Sequence, residues 1–363
     1  MPMSATRNFV RKHLRSMFVA TSLLCVAASF WFPPEWIETV FSDGWFRLVQ
    51  NCLVPLFGIF PFPVMGAVLL IAPILLMIYA VRGWRRAQSR NESVVWRVIV
   101  GSAHGLRLAL YAYTVFLLTW GFGYRRVPLE QRWGIEDRAA SLQEVDVLRE
   151  QLSRLIHRDC VPDSERSRVR ALRSIEAAQA DLVAELEGYR PAWPSYVKSP
   201  PQGALMMMDV GGVVSPWTLE AHVESALPDP QWLATCAHEL AHLAGYCGEA
   251  EANLVGFLSG LRAKDPFARY SAALRVFEYT ASKAGAKAYR RAYLALPARA
   301  RLDMDLGREA RKKYVVKSLK HVSSKVYDRY LKSQGMPSGL GDYSRGFRLF
   351  ARAWAKGLVS LPR

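Results

Sequence analysis

A chain of 363 residues with 48 Lys and Arg against 31 Asp and Glu carries a formal charge of +17. Such a charge would suit nucleic acid, yet the sequence has no basic–aromatic binding motif and no nucleic-acid fold signature, so no nucleic-acid partner is expected. Long apolar runs assign the charge to a membrane instead, with anionic lipid headgroups as the counter-surface, and the length suffices for a membrane region plus one sizeable domain.

The apolar residues concentrate in the first third. Met17 to Phe32 is an uncharged run, preceded by Arg7, Arg11, Lys12 and Arg15 and closed by Pro33-Pro34. It is also short enough to be a signal peptide. Cys52 to Val81 is apolar and interrupted by Pro55, Pro61 and Pro63, which predicts a span over about Val64 to Val81 with the proline-rich part lying interfacially. A third run, Val98 to Phe122, holds His104 and Arg107 near its start and ends in Trp120 and Tyr124, residues suited to an aromatic belt. Three spans are expected within residues 1–125. The N-terminal basic residues and the loop with Arg82, Arg85, Arg86, Arg90 and Arg97 belong in the cytoplasm, and the loop with Glu35, Glu38 and Asp43 outside. Everything after Phe122 then lies outside as well.

Residues 126–363 read as one domain of mostly helical pattern. Ser141 to Ile156 and Ser164 to Leu186 are charged amphipathic runs separated by Cys160-Val161-Pro162, the pattern of a helical hairpin. Tyr189 to Pro201 is rich in Pro and turn residues and reads as loop. Ala204 to Glu224 combines β-branched and aromatic residues with paired glycines, which predicts extended structure. Within it, Gly212, Val213, Val214 and Trp217 form a candidate edge strand for a substrate backbone, the plain alternative being a packing loop. Further helices are expected over Phe267 to Ala284, Ala286 to Leu296, Asp303 to Lys332 and Tyr343 to Lys356, punctuated by Pro297 and by Gly335 to Gly341.

Between the extended stretch and these helices stands His238-Glu239-Leu240-Ala241-His242. Histidines at i and i+4 project about 40° apart on a helix of roughly 3.6 residues per turn, so both imidazoles can reach one Zn²⁺. Glu239 can lean over the open side of the metal as a general base. The same pentapeptide arises by chance on amphipathic helices. Here, however, Gln231 to Gly245 is mostly apolar, so the helix should be buried, and buried polar groups without a purpose are costly. Gly245 ends the helix and permits a left-handed turn back past the metal. Glu249 is the favoured third ligand and Glu251 the alternative. Cys247 is a further candidate that reads more simply as a small buried hydrophobe. Asn253, four residues after Glu249, is placed to accept a hydrogen bond from an imidazole N–H. Tyr246, Tyr343 and Arg345 are candidate donors to an oxyanion. Cys160, Cys236 and Cys247 are an odd number in this domain, so no disulfide framework is implied.

Several motifs carry a resemblance. The chain reads W-G-x-x-Y-R at Trp120 to Arg125, G-x-x-x-P-W-T-x-E-A at Gly212 to Ala221, and H-E-x-A-H-x-x-G with E-x-E-A-N at His238 to Asn253. It then reads Y-L-K-x-Q-G at Tyr330 to Gly335. Over most of its length it resembles an uncharacterised family of bacterial membrane-anchored candidate zinc metallopeptidases, described as a domain of unknown function. The Glu249…Asn253 pair is also similar to the Glu-x-x-x-Asp of glutamate zincins, with Asn for Asp and an unusually short gap after His242. The resemblance implies a mostly α fold: N-terminal transmembrane helices (1–125), then a zincin-like helical domain (126–363) with a small β edge element. It also implies a Zn²⁺ cofactor, a peptide or protein substrate, and multi-pass residence in the bacterial cytoplasmic membrane. The expected reaction is peptide hydrolysis by metal-activated water with Glu239 as base. The alternative is a membrane-tethered sensor or scaffold with structural zinc, against which Glu239 argues because such a site needs no base. A non-peptide amide or a cell-wall crosslink would call on the same chemistry.

Overall fold

The computed structural model describes residues 3–361 except 137, 192–195 and 281–284, with side chains from residue 16 onward apart from that of residue 343. Apolar helices come first: α1 (Met3–Trp31), the short α2 (Pro34–Trp36) and α3 (Arg47–Gly58), then α4 (Val64–Ser89) and α5 (Val94–Thr119). Among the described residues, α4 is the one single helix long and apolar enough to cross a membrane, and none of its side chains is buried. Its 26 residues span about 39 Å at roughly 1.5 Å each, more than a hydrocarbon core of about 30 Å requires. The part of α1 from Ser16 joins Pro34–Gly58 as a second candidate, bent by 118°. Pro33 and Pro34 account for the bend, since proline cannot continue a helical ladder. Helix α5, interrupted by Arg97, His104 and Arg107, does not qualify by the same measure. Of the three expected spans, one therefore coincides with a single helix long and apolar enough to cross a membrane.

The remaining helices are α6 (Leu129–Arg132), α7 (Leu142–Asp159), α8 (Arg168–Glu187), α9 (Asp229–Leu243), α10 (Glu249–Arg262), α11 (Pro266–Thr280), α12 (Ala286–Ala295), α13 (Ala298–Tyr314), α14 (Lys317–Ser333) and α15 (Asp342–Ala355). Ser141 and Glu144 open α7 with a reciprocal capping box, and Ser167 caps α8. Helix α10 occupies the centre: every residue from Glu249 to Leu261 is buried, and α8, α9, α11 and α15 pack around it. A helix surrounded in this way must be apolar or small on all sides, which explains its run of Ala, Gly, Leu and Val. Gly256 permits the closest approach, because a Cβ there would stand 3.0 Å from the His238 backbone nitrogen.

Strands β1 (Val197–Lys198), β2 (Gly212–Ser215) and β3 (Glu220–Val223) form one sheet in the order β1-β3-β2. β1 is parallel to β3, whereas β2 is antiparallel to it, with Gly212 opposite Val223 and Ser215 opposite Glu220. The expected extended segment is thus a hairpin with β2 at the edge.

Strand β1 lies within the stretch expected to be loop, and two further features depart from the sequence expectations. The helix expected over Asp303 to Lys332 is two helices, broken at Val315-Val316. There the Val316 N–H donates to the Met207 carbonyl (3.0 Å), and α14 restarts beyond it. The N-terminal third also contributes to the main core. Ile37, Phe41, Phe46 and Val49 are buried in the same cluster as α9 and α10, and Ile37–Phe46 is a π-helical segment. Glu38 in that segment pairs with Arg126.

Candidate metal centre

Helix α9 presents His238, Glu239 and His242 from a buried stretch, and its end determines how one of them is oriented. Gly245 adopts φ +98, a conformation that strains any residue with a Cβ. Its N–H bonds the His242 carbonyl (2.9 Å) and the Tyr246 N–H bonds the Ala241 carbonyl (3.2 Å), the paired bonds of a Schellman motif. This turn folds the Tyr246 carbonyl back to 2.7 Å from His242 Nδ1. A carbonyl only accepts, so Nδ1 donates to it and Nε2 is the nitrogen left to face Glu249 or a cation. The Trp120 ring packs against the other side of His242, 5.9 Å between centroids.

Glu249 is the first residue of α10, where the helix dipole favours a carboxylate. Asp342 of α15 holds that helix end by accepting from the Ala250 N–H (2.9 Å). Glu249 Oε2 lies 3.1 Å from His238 Nε2 and 3.6 Å from His242 Nε2, and the three candidate ligand atoms all fall within 4.8 Å of one another. Burial alone would raise the Glu249 carboxyl, but the two imidazoles outweigh it and hold it far below the ordinary range. Burial likewise pulls both histidines down. Glu249 overcomes this at His242, raising it to about 9, whereas His238 stays low. Such a pocket is built to hold positive charge between two nitrogens and an oxygen.

Glu239 is almost fully buried, and burial pushes its carboxyl up to about 8. Its Oε2 has no hydrogen-bond partner among the described residues. Strand β2 crosses directly over it: a Cβ on Gly212 would lie 2.5 Å from Glu239 Oε1. A side chain at position 212 would therefore have to displace Glu239, a matter of close approach and not of backbone conformation.

The other predicted residues divide. Glu251 points away from the histidines; its Oε1 accepts from the Leu129 N–H (2.9 Å), and Oε2 lies 3.8 Å from Arg132. Asn253 packs against Gly346, and its Nδ2 has no hydrogen-bond partner among the described residues. The Tyr246 hydroxyl donates to Glu187 (3.0 Å) within the Arg126–Arg132–Glu38 network, so it faces away from the cluster and only its carbonyl serves the site. Arg345 pairs with Glu130 and Asp342. The Tyr343 side chain lies outside the described residues. Cys247 is buried against Gly123 and the Trp120 carbonyl. Val213 is exposed and Val214 buried, while Trp217 donates its indole N–H to the Ala112 carbonyl of α5 (3.1 Å).

One residue of the cluster was not anticipated. The Tyr327 hydroxyl, on α14, donates to Glu249 Oε1. Tyr327 stacks on Tyr330 (5.8 Å), which packs edge-on against Tyr124 (6.0 Å) and hydrogen-bonds its hydroxyl (3.2 Å). The W-G-x-x-Y-R and Y-L-K-x-Q-G segments, distant in sequence, thus meet around the histidine–glutamate cluster. The signal for Tyr327 was its spacing, three residues before the Tyr330 that opens the second of those segments.

No curated protein and no solved structure matches this chain. The family described as "Protein of unknown function (DUF3810)" matches it from residue 41 to residue 350, and the chain belongs to that family.

Proposed function

We propose that this chain is a membrane-anchored zinc metallopeptidase. The observation that carries the reading is the convergence of two imidazole nitrogens and one carboxylate oxygen beside a second buried carboxylate that touches none of them as a ligand. The donor set fits zinc. Ligands about 2.0–2.1 Å from a tetrahedral ion stand roughly 3.3 Å from one another, and the distances here are 3.1 and 3.6 Å. A zinc ion held by His238, His242 and Glu249 would supply Lewis acidity and a water acidified to a pKa of about 7. Glu239 is the chain's own base: it takes the water's proton and returns it to the departing amine. Its burial favours that role, since a carboxylate kept out of solvent accepts a proton more readily. Edge strand β2 would hold substrate backbone by strand addition across Glu239.

Membrane topology follows the same reading. Helix α4 leaves the sheet region and α5 returns to it, as Glu220 bonds the N–H groups of Val64 and Met65 and Trp217 bonds Ala112. The Arg-rich turn between α4 and α5 then lies at the far end, which supports a cytoplasmic turn and an extracytoplasmic site in a multi-pass protein of the cytoplasmic membrane.

Elemental analysis of the purified protein tests the core of the proposal. The expected result is about one zinc per chain, lost in His238→Ala, with Glu239→Gln retaining zinc but no turnover. The wild type should also accept Co²⁺ and bind hydroxamates. A protein that holds zinc yet does neither has a closed structural site, and a wild type without zinc after reconstitution has no metal centre.

A further inference from the structure

The sheet that covers Glu239 is fastened to α3, α4, α5 and the turn before α4 by the hydrogen bonds of three of its residues. Both carboxylate oxygens of Glu220, on β3, accept the first N–H groups of α4, from Val64 and Met65 (2.9 Å each). Lys198, on β1 and buried, donates to Glu220 (2.6 Å), to the carbonyl of Phe57 (2.8 Å) at the end of α3 and to that of Phe62 (3.1 Å) in the turn that precedes α4. Trp217, at the tip of the β2–β3 hairpin, donates to Ala112 of α5. A buried lysine–glutamate pair that consumes backbone groups of another segment is a rigid joint, not a passing contact.

With α4 spanning a bilayer, this joint would set the height of the site above it. Ser215 lies opposite Glu220, at the level where α4 begins. Gly212, over Glu239, is three residues further along the edge strand, or about 10 Å at roughly 3.3 Å per residue. One end of β2 therefore faces the origin of an apolar helix and the other covers the catalytic carboxylate. A polypeptide paired with β2 would then run from the membrane surface, past Ser215, to Gly212. The helix on the other side of the cluster suits the same surface. Tyr330 of α14 packs on Phe116 of α5, and α14 exposes Leu319, Val322 and Val326 among five Lys and Arg residues. Apolar side chains exposed on a basic helix favour an anionic bilayer surface.

We infer that the site acts on membrane-tethered polypeptides and cuts them within about three to six residues of the bilayer surface, a reach given by the same extended spacing. The inference rests on the metallopeptidase reading. The reaction is hydrolysis: one peptide C–N bond breaks, the water's hydroxyl goes to the carbonyl carbon and its one remaining proton passes by way of Glu239 to the departing amine. Tethering adds a kinetic advantage, because a chain confined to the same bilayer meets the edge strand at high effective concentration.

The test uses full-length protein in phosphatidylethanolamine–phosphatidylglycerol vesicles with three probes. The first is a single leucine-rich span followed directly by twelve randomised residues. The second inserts a twenty-residue Gly/Ser spacer between the span and the randomised stretch. The third is the randomised stretch alone. Cut positions are read by mass spectrometry, with Glu239→Gln as blank and zinc content and hydroxamate binding measured on the same preparation. Cleavage of the first probe within six residues of the span, at least about tenfold faster than of the other two, supports the inference. Equal cleavage of the free or spaced stretch overturns it, as does cleavage of none by a protein that holds zinc and binds hydroxamate. Absence of zinc and hydroxamate binding instead removes the reading on which it rests.

Discussion

At Glu249 the two carboxylate oxygens have different neighbours: Oε1 accepts from Tyr327, and Oε2 faces the imidazoles. A carboxylate held in this way offers one oxygen in a fixed direction, so the tyrosine would act on a bound metal only through the ligand it orients. Tyr327→Phe should weaken zinc binding by about 10–100-fold, the usual cost of losing a hydrogen bond to a ligand. Competition with a chelator of known affinity measures this, and helical circular dichroism should stay unchanged. Undiminished affinity would refute the positioning role. Gly212 gives a complementary expectation on the other carboxylate. A methyl there must displace Glu239, so Gly212→Ala should keep its zinc and lose about 100-fold in turnover, the scale of a 1 Å misplacement. Turnover equal to wild type would show that Glu239 has another way to reach the water.

Between elements, the critical spacing is that of α9 against α10. The Cβ that Gly256 lacks would meet backbone atoms of Ala237 and His238 at 3.0–3.1 Å, and backbone cannot rotate out of the way. Gly256→Ala should therefore push α10 from α9 and carry Glu249 away from the histidines. The expected result is about 1–3 kcal/mol of destabilisation by overpacking, seen as a lower thermal midpoint, together with weaker zinc binding. A lower midpoint with normal zinc affinity would mean that the helix yields elsewhere. The same elements show what the sequence makes legible. His238, Glu239 and His242 lie within one helical turn and a half, where spacing alone determines a common face, and Gly245 announces its turn by residue type. Tyr327 is 78 residues from Glu249, and only tertiary packing brings them together. The break at Val315-Val316 depends on the Met207 carbonyl over a hundred residues earlier, and α14 would otherwise read as a continuation of α13. Tyr246 was visible as a residue near the site, but which of its oxygens serves it depends on the buried Arg126–Glu187 network.

Over the whole molecule, the apolar helices and the candidate catalytic domain are coupled by groups that titrate. Burial would raise the Glu220 carboxyl, but the Lys198 ammonium, the N–H groups of Val64 and Met65 and the Thr218 hydroxyl outweigh it and lower its pKa in the folded protein. A carboxylate whose folded pKa is depressed contributes stability that is fully present above the unfolded value, about 4.5. That contribution is lost as pH falls through the folded value. Acidification below about pH 4.5 should therefore loosen the joint between the sheet and α4. In Glu220→Gln the titration is gone and Lys198 is left buried without its partner, a defect of about 3–5 kcal/mol. The thermal midpoint of that variant in detergent should be well below wild type at pH 7, and the gap should narrow steadily as pH falls towards 3.5. A gap that stays constant with pH would mean that Glu220 stabilises through shape alone. A gap that closes should be accompanied by loss of order at β2, because the same carboxylate that caps α4 sets the strand over Glu239.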